Sequence, residues 1–535
     1  MKLIEAIGKR FPLFSFINHR NLYLFGLALI LCGLTWSRFL MSLGQFVLLG
    51  NWLLEANFKA KWITIKSSKV ILLLTALFLL HLIGCLWTSD FDYAIKDLTI
   101  KLPLLILPII IGTSKRFTVQ EWKNLLLIYI GTIFVISLVS LGKLLGYWGD
   151  EIIDKREISV SISHIRYGLN FCLAIVLIFY FIKRYTVPLQ IILTIIAIWF
   201  CIALFQFELS TGLVILIVSA IAVALFRLFS KKSYFITKTL IICISFILGY
   251  FVIHEFNQIK KDFYRVVPLS YEQEEITTFY SDNGEQYLHD IGSKIKENGV
   301  YVWRFVALKE FKNEWSKRSS ISLDSNDLKN QKIISTAARF LSSKGLKKDS
   351  IGVNKLTEQE IEAIENGIPN VYYLNHNPIQ NRVFSSIYEF DNYLKGHSID
   401  GFSLVMRLEY WKTAWHVAKS NFWIGVGTGD IASAIEKQYQ LNQSSLAPEY
   451  QKRAHNQYLT FWATFGVLGL IFFLVYLFYP YFIVSKEHQR VFFIFLLLAA
   501  LSFLTEDTLE TQAGVTFFTI FQTIILLALP FKKQA

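Results

Sequence analysis

Long apolar runs separated by short polar segments make up most of this chain. A helix needs roughly 17–25 mainly apolar residues to cross a bilayer, and runs near that length predict about twelve membrane helices. The short run at 102–112 and the tight turn at 36–39 leave that number open by about one or two. The runs cover 21–36, 39–54, 69–87, 102–112, 122–142, 167–182, 188–205, 209–226, 238–254, 456–484, 490–505 and 514–530.

One polar segment, about 255–455, is far longer than the others and predicts a mostly helical domain outside the membrane. Helical patterns occur at 293–317 and 355–367, and residues 404–420 form a clear amphipathic helix. Tryptophans supply a core that disordered segments lack: Trp303, Trp315, Trp411, Trp415 and Trp423. The predicted division is therefore helices 1–9 in 1–254, the loop domain in 255–455 and helices 10–12 in 456–535.

Composition agrees with a polytopic, all-α membrane protein. A soluble globular protein carries about 25% charged residues, whereas this chain has 17% charged and 54% hydrophobic residues. All five cysteines lie in apolar runs, so the polar regions offer no disulfide framework and no thiolate metal site. The net charge of +13 fits basic cytoplasmic loops without a nucleic-acid partner. The first apolar run starts near Leu22 with no clear cleavage site, so a signal peptide is not expected.

Lysine and arginine occur in alternate loops, and acidic residues occur in the loops between them. This pattern predicts both termini in the cytoplasm and the long polar segment on the outer, periplasmic side of the membrane. The basic loops contain Lys59, Lys61, Lys66 and Lys69; Lys115 and Arg116; Lys183 and Arg184; Arg227, Lys231 and Lys232; and Lys486 and Arg490. The acidic loops contain Asp90, Asp92, Asp97, Asp150, Glu151, Glu208, Glu506, Asp507 and Glu510.

The glycine-rich stretch GVGTGD, residues 425–430, follows no predicted strand, so a nucleotide site is not indicated. Two interpretations stay open for it: a turn that closes the 404–420 helix, or a nest of backbone amides near a ligand.

Several polar residues are predicted at the outer ends of different helices. Arg166 lies at the mouth of the sixth span, Arg407 opens the amphipathic helix, and His455 with Asn456 lies at the mouth of the tenth span. If these ends converge, they suit a lipid-linked pyrophosphate, because arginine binds phosphate oxygens with two donors and histidine accepts a proton near neutral pH.

Simpler alternatives exist for these residues. Arg166 could extend toward lipid head groups, and His455 could cap the tenth helix or pair with Glu506. Glu506, Asp507 and Glu510 could form no more than a solvated loop. The other histidines of the outer region are expected at the surface or in packing: His164, His376, His397 and His416.

The segment RLEYWKTAWHVAKSNFWIGVGTGD, followed by AHNQYLTFWATFGVLGL, resembles the O-antigen ligase and O-antigen polymerase superfamily. There an Arg-x-x-x-Trp helix leads to a glycine turn, and a His-Asn pair opens the next span. Four further stretches are similar to the Bacteroidetes-type O-antigen ligase family proteins: residues 87–108, 298–315, 339–350 and 502–518.

The resemblance implies a lipid-sugar-dependent (GT-C-like) glycosyltransferase that inverts the anomeric carbon and uses no metal or other cofactor. It implies transfer from an undecaprenyl-pyrophosphate-linked glycan to lipid A–core or another glycan acceptor, in a membrane-lipid environment. Carried over by position, His455 is the base, Arg407 the loop arginine and Arg166 an arginine at a span mouth. The supporting residues are Asn456, Tyr458, Trp411 and Glu506.

The stretch FELSTGLVIL, residues 207–216, departs from the family pattern because it lacks the arginine of a Ser-Arg pair. Arg166 or Arg382 then supplies that charge, or phosphate is bound in another way. An O-antigen polymerase and a protein O-oligosaccharyltransferase share these motifs and differ mainly in acceptor. A polysaccharide flippase or exporter is the alternative of another class. Transporters tend to carry ionisable residues within their spans, whereas the mid-span positions of this chain are nearly free of charge, which favours an enzyme. A non-catalytic scaffold would tolerate loss of both His455 and Arg407.

Overall fold

Helices dominate the computed structural model, which describes residues 18–149, 158–159, 162–229, 235–265 and 278–531. The chain forms two compact units: Met1–Phe229 with Ile399–Ala535, and Ser230–Ser398. The predicted boundaries at 254 and 455 concern membrane position rather than packing, and they stay a prediction.

In the first part of the first unit, eight helices follow the apolar runs to within a few residues, because each run can bury or expose to lipid a continuous apolar surface. Two more helices, Phe58–Ser67 and Phe91–Lys101, form in segments that were predicted as loops. The helices are α1 His19–Trp36, α2 Arg38–Leu54, α3 Phe58–Ser67, α4 Lys69–Gly84, α5 Phe91–Lys101, α6 Pro103–Thr113, α7 Val119–Leu144, α8 His164–Phe181, α9 Val187–Gln206 and α10 Ser210–Phe229.

The second unit is also mainly helical and contains one small hairpin. Its elements are α11 Phe235–Phe263, β1 Lys296–Glu297, β2 Val300–Tyr301, α12 Leu308–Arg318, α13 Ile333–Ser343, α14 Ser350–Asn354, α15 Glu358–Glu365, α16 Tyr372–Asn375 and α17 Pro378–Leu394. Its core includes the fully buried Trp315 and Phe340.

The expected helix at 293–317 is wrong over its first half. Residues 296–301 form the β1–β2 hairpin, in which Glu297 pairs with Val300. Asn298 and Gly299 have φ of 46° and 86°, and an Asn-Gly pair with positive φ at both positions is the strongest short hairpin signal. Only α12, from Leu308, is helical.

The chain then returns to the first unit and ends there. The remaining helices are α18 Val405–Ser420, α19 Ile431–Leu441, α20 Gln457–Phe478, α21 Pro480–Ile483, α22 Gln489–Thr505 and α23 Gln512–Thr523. A 3-10 turn at Thr508–Glu510 lies between α22 and α23.

The described helices are those of an all-α, multi-pass membrane protein. Five stretches are long and apolar enough to cross a membrane, and a bent pair, Arg38–Leu54 with Phe58–Ser67, raises the number to six if it counts as one span. The five are Lys69–Trp87, Val119–Leu144, His164–Arg184, Val187–Gln206 and Gln457–Ile483. Shorter apolar helices cover Ser210–Leu225, Gln489–Thr505 and Gln512–Ala528. The total of about twelve spans stays a prediction.

Helix α20 is interrupted by the loop that follows α18. At Gly466 the backbone has φ 68° and ψ −174°, which only glycine adopts readily. Across the break, Val467 N donates to Phe422 O at 2.7 Å, and the amide nitrogens of residues 426 and 427 donate to the carbonyls of residues 463 and 464 at 3.0 and 2.9 Å. The loop therefore supplies partners for backbone groups that the break leaves open, as a membrane segment requires.

The GVGTGD stretch is thus a turn that packs into α20 and α4. Its amides are occupied, because Gly425 N donates to Asn421 O, Thr428 N to Gly84 O and Gly429 N to Thr88 Oγ1. A nest of free amides for an anionic ligand is therefore excluded for residues 425–429.

We expect Gly466→Ala to lower the thermal midpoint of the detergent-purified protein. A Cβ at this position would collide with the backbone of Trp423 and Ile424, and this backbone region, which is essentially restricted to glycine, alone costs an alanine roughly 1–3 kcal/mol. Gly131→Ala is the matched control, because Gly131 lies within α7 with open space where its Cβ would be. Equal midpoints for the two variants would contradict the importance of the break.

Candidate functional site

Glu506, directly after α22, lies among three of the predicted site residues: His455, Arg407 and Arg166. Its Oε1 is 3.3 Å from His455 Nδ1 and 3.6 Å from Arg407 Nη2. Arg407 comes from the first turn of α18 and His455 from the segment that precedes α20. The structure thus brings together one residue from each of three chain segments that are distant in sequence.

Arg166, in the first turn of α8, is close enough for its positive charge to lower the pKa of Glu506. Burial raises the pKa of Glu506, but the neighbouring His455, Arg407 and Arg166 outweigh burial, so this pKa lies below its ordinary value. Arg166 Nη1 donates to Ser163 Oγ at 3.2 Å, while its Nε is buried without a hydrogen-bond partner among the described residues. Glu506 is therefore a carboxylate near neutral pH, within the influence of three basic groups.

The backbone of the His-Asn pair is held by Asp507. His455 has a φ of 45°, an uncommon conformation for a residue with a side chain. Asp507 Oδ2 accepts from His455 N at 2.9 Å, and its Oδ1 accepts from Asn456 N at 3.0 Å. Thr460 Oγ1 also donates to Asp507 Oδ1, at 2.7 Å. One buried carboxylate thus fixes the direction in which the imidazole leaves the chain, and burial raises the pKa of Asp507 above its ordinary value.

Asn456 caps α20 instead of facing the cluster. Its side-chain oxygen accepts from Leu459 N at 3.1 Å, and its Nδ2 donates to Leu504 O at 3.2 Å. Because the cap ties the start of α20 to the end of α22, it positions His455 beside Glu506.

The two ring nitrogens of His455 have different surroundings. Nδ1 faces Glu506, although not in the line of a good hydrogen bond. Nε2 makes no hydrogen bond with any residue in the described ranges, and the side chain is 34% exposed. A carboxylate beside Nδ1 favours the tautomer with hydrogen on Nδ1, which leaves Nε2 able to accept a proton.

The other predicted residues are placed as follows. Trp411 Nε1, one turn after Arg407, is buried without a hydrogen-bond partner in the described part of the chain. Tyr458 OH donates to Ala500 O at 3.0 Å, so it joins α20 to α22. Arg382 lies on α17 in the second unit, with Nη1 3.5 Å from Glu389 Oε1.

A buried ionic cluster next to this site was not predicted from the sequence. Lys101, at the end of α5, forms ion pairs with Asp97 and with Glu510, the latter at 2.8 Å. His81 Nδ1 is 3.1 Å from Asp97 Oδ2, and Gln457 Nε2 donates to Glu510 Oε1 at 2.9 Å. Burial lowers the pKa of Lys101, but the two carboxylates outweigh burial and raise it above its ordinary value. The Asp-Lys spacing of four residues was the available signal.

Glu506, Asp507 and Glu510 do not form a solvated loop. Their side chains are buried, with relative exposures of 8%, 3% and 8%. Each is matched by cations or hydrogen-bond donors, which is the condition for burying a carboxylate. Within the described residues, no group of three or more His, Cys, Asp or Glu side chains could hold a metal ion.

Residues 367–474 match the family described as O-antigen ligase. The match contains Arg407, Trp411, His455, Asn456 and Tyr458, and it confirms the resemblance found in the sequence. It supports glycan transfer of the O-antigen ligase or polymerase type in general. No curated protein matches the chain.

We expect Lys101→Met to destabilise the protein by roughly 3–5 kcal/mol, because it removes the cation that two buried carboxylates share. Asp97 then keeps its contact with His81. Glu510 keeps Arg453 at 3.7 Å and the amide of Gln457. The measurement is the thermal midpoint of the detergent-purified protein. Lys96→Met is the control, because Lys96 is exposed on the same helix.

The pH dependence of the thermal midpoint of Lys101→Met tests whether uncompensated charge causes the loss of stability. Without the cation, the buried carboxylates bind protons more tightly in the folded state than in the unfolded state, so acidification should reduce the deficit. A deficit that is unchanged as the pH falls would show that lost packing, not uncompensated charge, destabilises the variant.

Proposed function

We propose that this protein is a metal-independent inverting glycosyltransferase. It transfers a glycan from undecaprenyl pyrophosphate to an acceptor hydroxyl, most simply that of lipid A–core, at the periplasmic face of the inner membrane. The observation that carries the proposal is the cluster of His455, Arg407 and Arg166 around the carboxylate of Glu506.

The arginines have the capacity to bind the pyrophosphate of the donor. A guanidinium has five N–H donors, and few of them are used here. Arg407 Nη2 is 3.6 Å from Glu506 Oε1, which is too long for a hydrogen bond. Arg166 Nε is buried without a hydrogen-bond partner among the described residues. Two fixed positive charges would stabilise the negative charge that grows on the leaving pyrophosphate.

His455 would act as the general base. Nε2 takes the proton of the acceptor hydroxyl while its oxygen attacks the anomeric carbon, and the bond from that carbon to the pyrophosphate oxygen breaks. The leaving group carries away the bonding electron pair, and attack from the opposite side inverts the centre. Glu506 stabilises the imidazolium that forms, and this proton later passes to water or to the leaving pyrophosphate. A positioned base contributes about 10²–10⁴-fold.

An exporter is the main alternative from another class. The sequence argument against it was that few ionisable residues lie within the spans. The structure includes His81 of α4 in a buried ionic cluster, so that argument is weaker than expected. The enzyme proposal therefore depends on the Glu506 cluster and on the family match.

Deletion of the gene separates the candidate functions. Loss of a ligase leaves bare lipid A–core while polymer accumulates on its lipid carrier. Loss of a polymerase leaves core with one repeat unit, and loss of an exporter leaves short precursors inside the cell. The measurement is a lipopolysaccharide gel together with the mass profile of the lipid-linked glycan.

We expect His455→Ala to reduce transfer by at least about 10²-fold, because the hydroxyl loses its base. The measurement is glycan attachment in the complemented deletion strain, with the membrane level of the variant determined by immunoblot. His416→Ala is the control, since His416 lies on α18 with its Nδ1 2.9 Å from Asn442 Oδ1. Near-normal attachment by His455→Ala would refute the assigned base.

We expect Arg407→Lys to reduce transfer by at least about tenfold, because losing one charge-assisted hydrogen bond costs about 1.5–3 kcal/mol. The KM for the lipid donor should rise in the purified enzyme. The control is Arg318→Lys, an arginine of α12 that pairs with Glu358. An unaltered product profile for Arg407→Lys would contradict pyrophosphate binding by this residue.

A further inference from the structure

Helices α2 and α3 meet at an angle of 113° and form an elbow, residues 38–67. Helix α3 has ten residues, of which Lys61 is buried, Ile65 is half-buried and the other eight are exposed. Its sequence, FKAKWITIKS, contains three lysines, several large apolar residues and no acidic residue. A basic, aromatic segment without acidic residues suits a position near a negatively charged membrane surface.

Lys61 holds the elbow in place. Its Nζ donates to Trp52 O at 2.6 Å, pairs with Glu55 Oε2 at 3.0 Å and lies 4.5 Å from the centroid of the Trp52 ring. Trp52 O is one of the carbonyls that the end of α2 leaves without a helical partner. Trp52 Nε1 in turn donates to Thr113 Oγ1 of α6 at 2.8 Å. The bend is therefore fixed by a buried cation and is tied to a neighbouring helix.

The opposite face of α3 is basic and apolar at once. Lys59, Trp62, Ile63 and Lys66 share that face, because they are three, four and seven residues apart. Trp62 and Ile63 are 58% and 59% exposed, and Lys66 Nζ lies 4.9 Å from the centroid of the Trp62 ring. The nearest acid in sequence, Glu55, is paired with Lys61, so the charges of Lys59 and Lys66 face outward without a compensating carboxylate on this helix.

A cavity of about 410 Å³ opens inside the elbow. It is lined by Trp52, Phe58, Lys59, Lys61, Trp62 and Ile65. A volume within roughly 300–1,000 Å³ is typical of sites for small ligands. Lys61 is already paired with Glu55, so Lys59 is the lining ammonium that remains for a ligand. Lys66 and Ile63 lie outside the lining, and the cavity adjoins the basic face through Lys59 and Trp62.

We infer that the elbow is a binding site for an anionic phospholipid. The head-group phosphate lies between Lys59 and Lys66, and the acyl chains contact Trp62, Ile63 and Phe58. Two features of this site favour a lipid over a free phosphate: its large exposed apolar residues and the apolar helix α4, which begins two residues after α3. The positive-inside pattern predicts this loop at the cytoplasmic surface, where anionic lipids attract basic segments.

The test is lipid binding by the full-length protein in detergent. The probes are short-chain phosphatidylglycerol, short-chain phosphatidylcholine and inorganic phosphate, each titrated and followed by native mass spectrometry. We expect phosphatidylglycerol to bind in preference to both other probes. In K59Q/K66Q its affinity should fall by about 30-fold, which corresponds to about 1 kcal/mol for each lysine near the lipid phosphate.

The matched control is K412Q/K419Q, which removes two lysines of α18 with the same spacing and should leave phosphatidylglycerol binding unchanged. Single K59Q and the reversal K59E/K66E keep the test decisive if the double variant is poorly expressed. Equal binding of the two lipids, equal binding of inorganic phosphate, or an undiminished preference in K59Q/K66Q would each overturn the inference.

Discussion

The need to compensate buried carboxylates governs the arrangement around the start of α20. Glu506, Asp507 and Glu510 follow α22 within five residues, and all three are buried. Each is compensated mainly by different groups: Glu506 by His455 and Arg407, Asp507 by backbone amides, and Glu510 by the buried Lys101 together with Gln457 and Arg453. Because an unpaired buried charge is very costly, this short segment determines where α5, α18 and α20 lie relative to one another.

The three carboxylates also differ in what they leave available. Asp507 is saturated by two amides and a hydroxyl, and Lys101 holds Glu510. Glu506, by contrast, lies 3.3 Å from His455 and 3.6 Å from Arg407, farther than the hydrogen bonds of Asp507. Asp507 and Glu510 therefore fix the backbone of this segment, while the side chains around Glu506 are held less tightly.

Much of the helical framework could be predicted from sequence, because an apolar run that must satisfy its own backbone has few alternatives to a helix. The 404–420 helix was predicted to within a residue. The β1–β2 hairpin was missed because apolar periodicity at 293–317 outweighed the Asn-Gly signal. The roles of Asp507 and Glu510 could not be predicted, since their partners lie about fifty and four hundred residues away in sequence. The structure also shows why an acidic loop can be buried: its charges are neutralised by residues that no local pattern connects to it.

The loop lodged in the break of α20 has a mechanical consequence. Backbone hydrogen bonds join the segment after α18 to Ala463, Thr464 and Val467 of α20. These bonds hold α18, the helix that carries Arg407, and α20, the helix that follows His455, together at the break. We therefore expect any opening of this region to bend the chain outside α18 and α20.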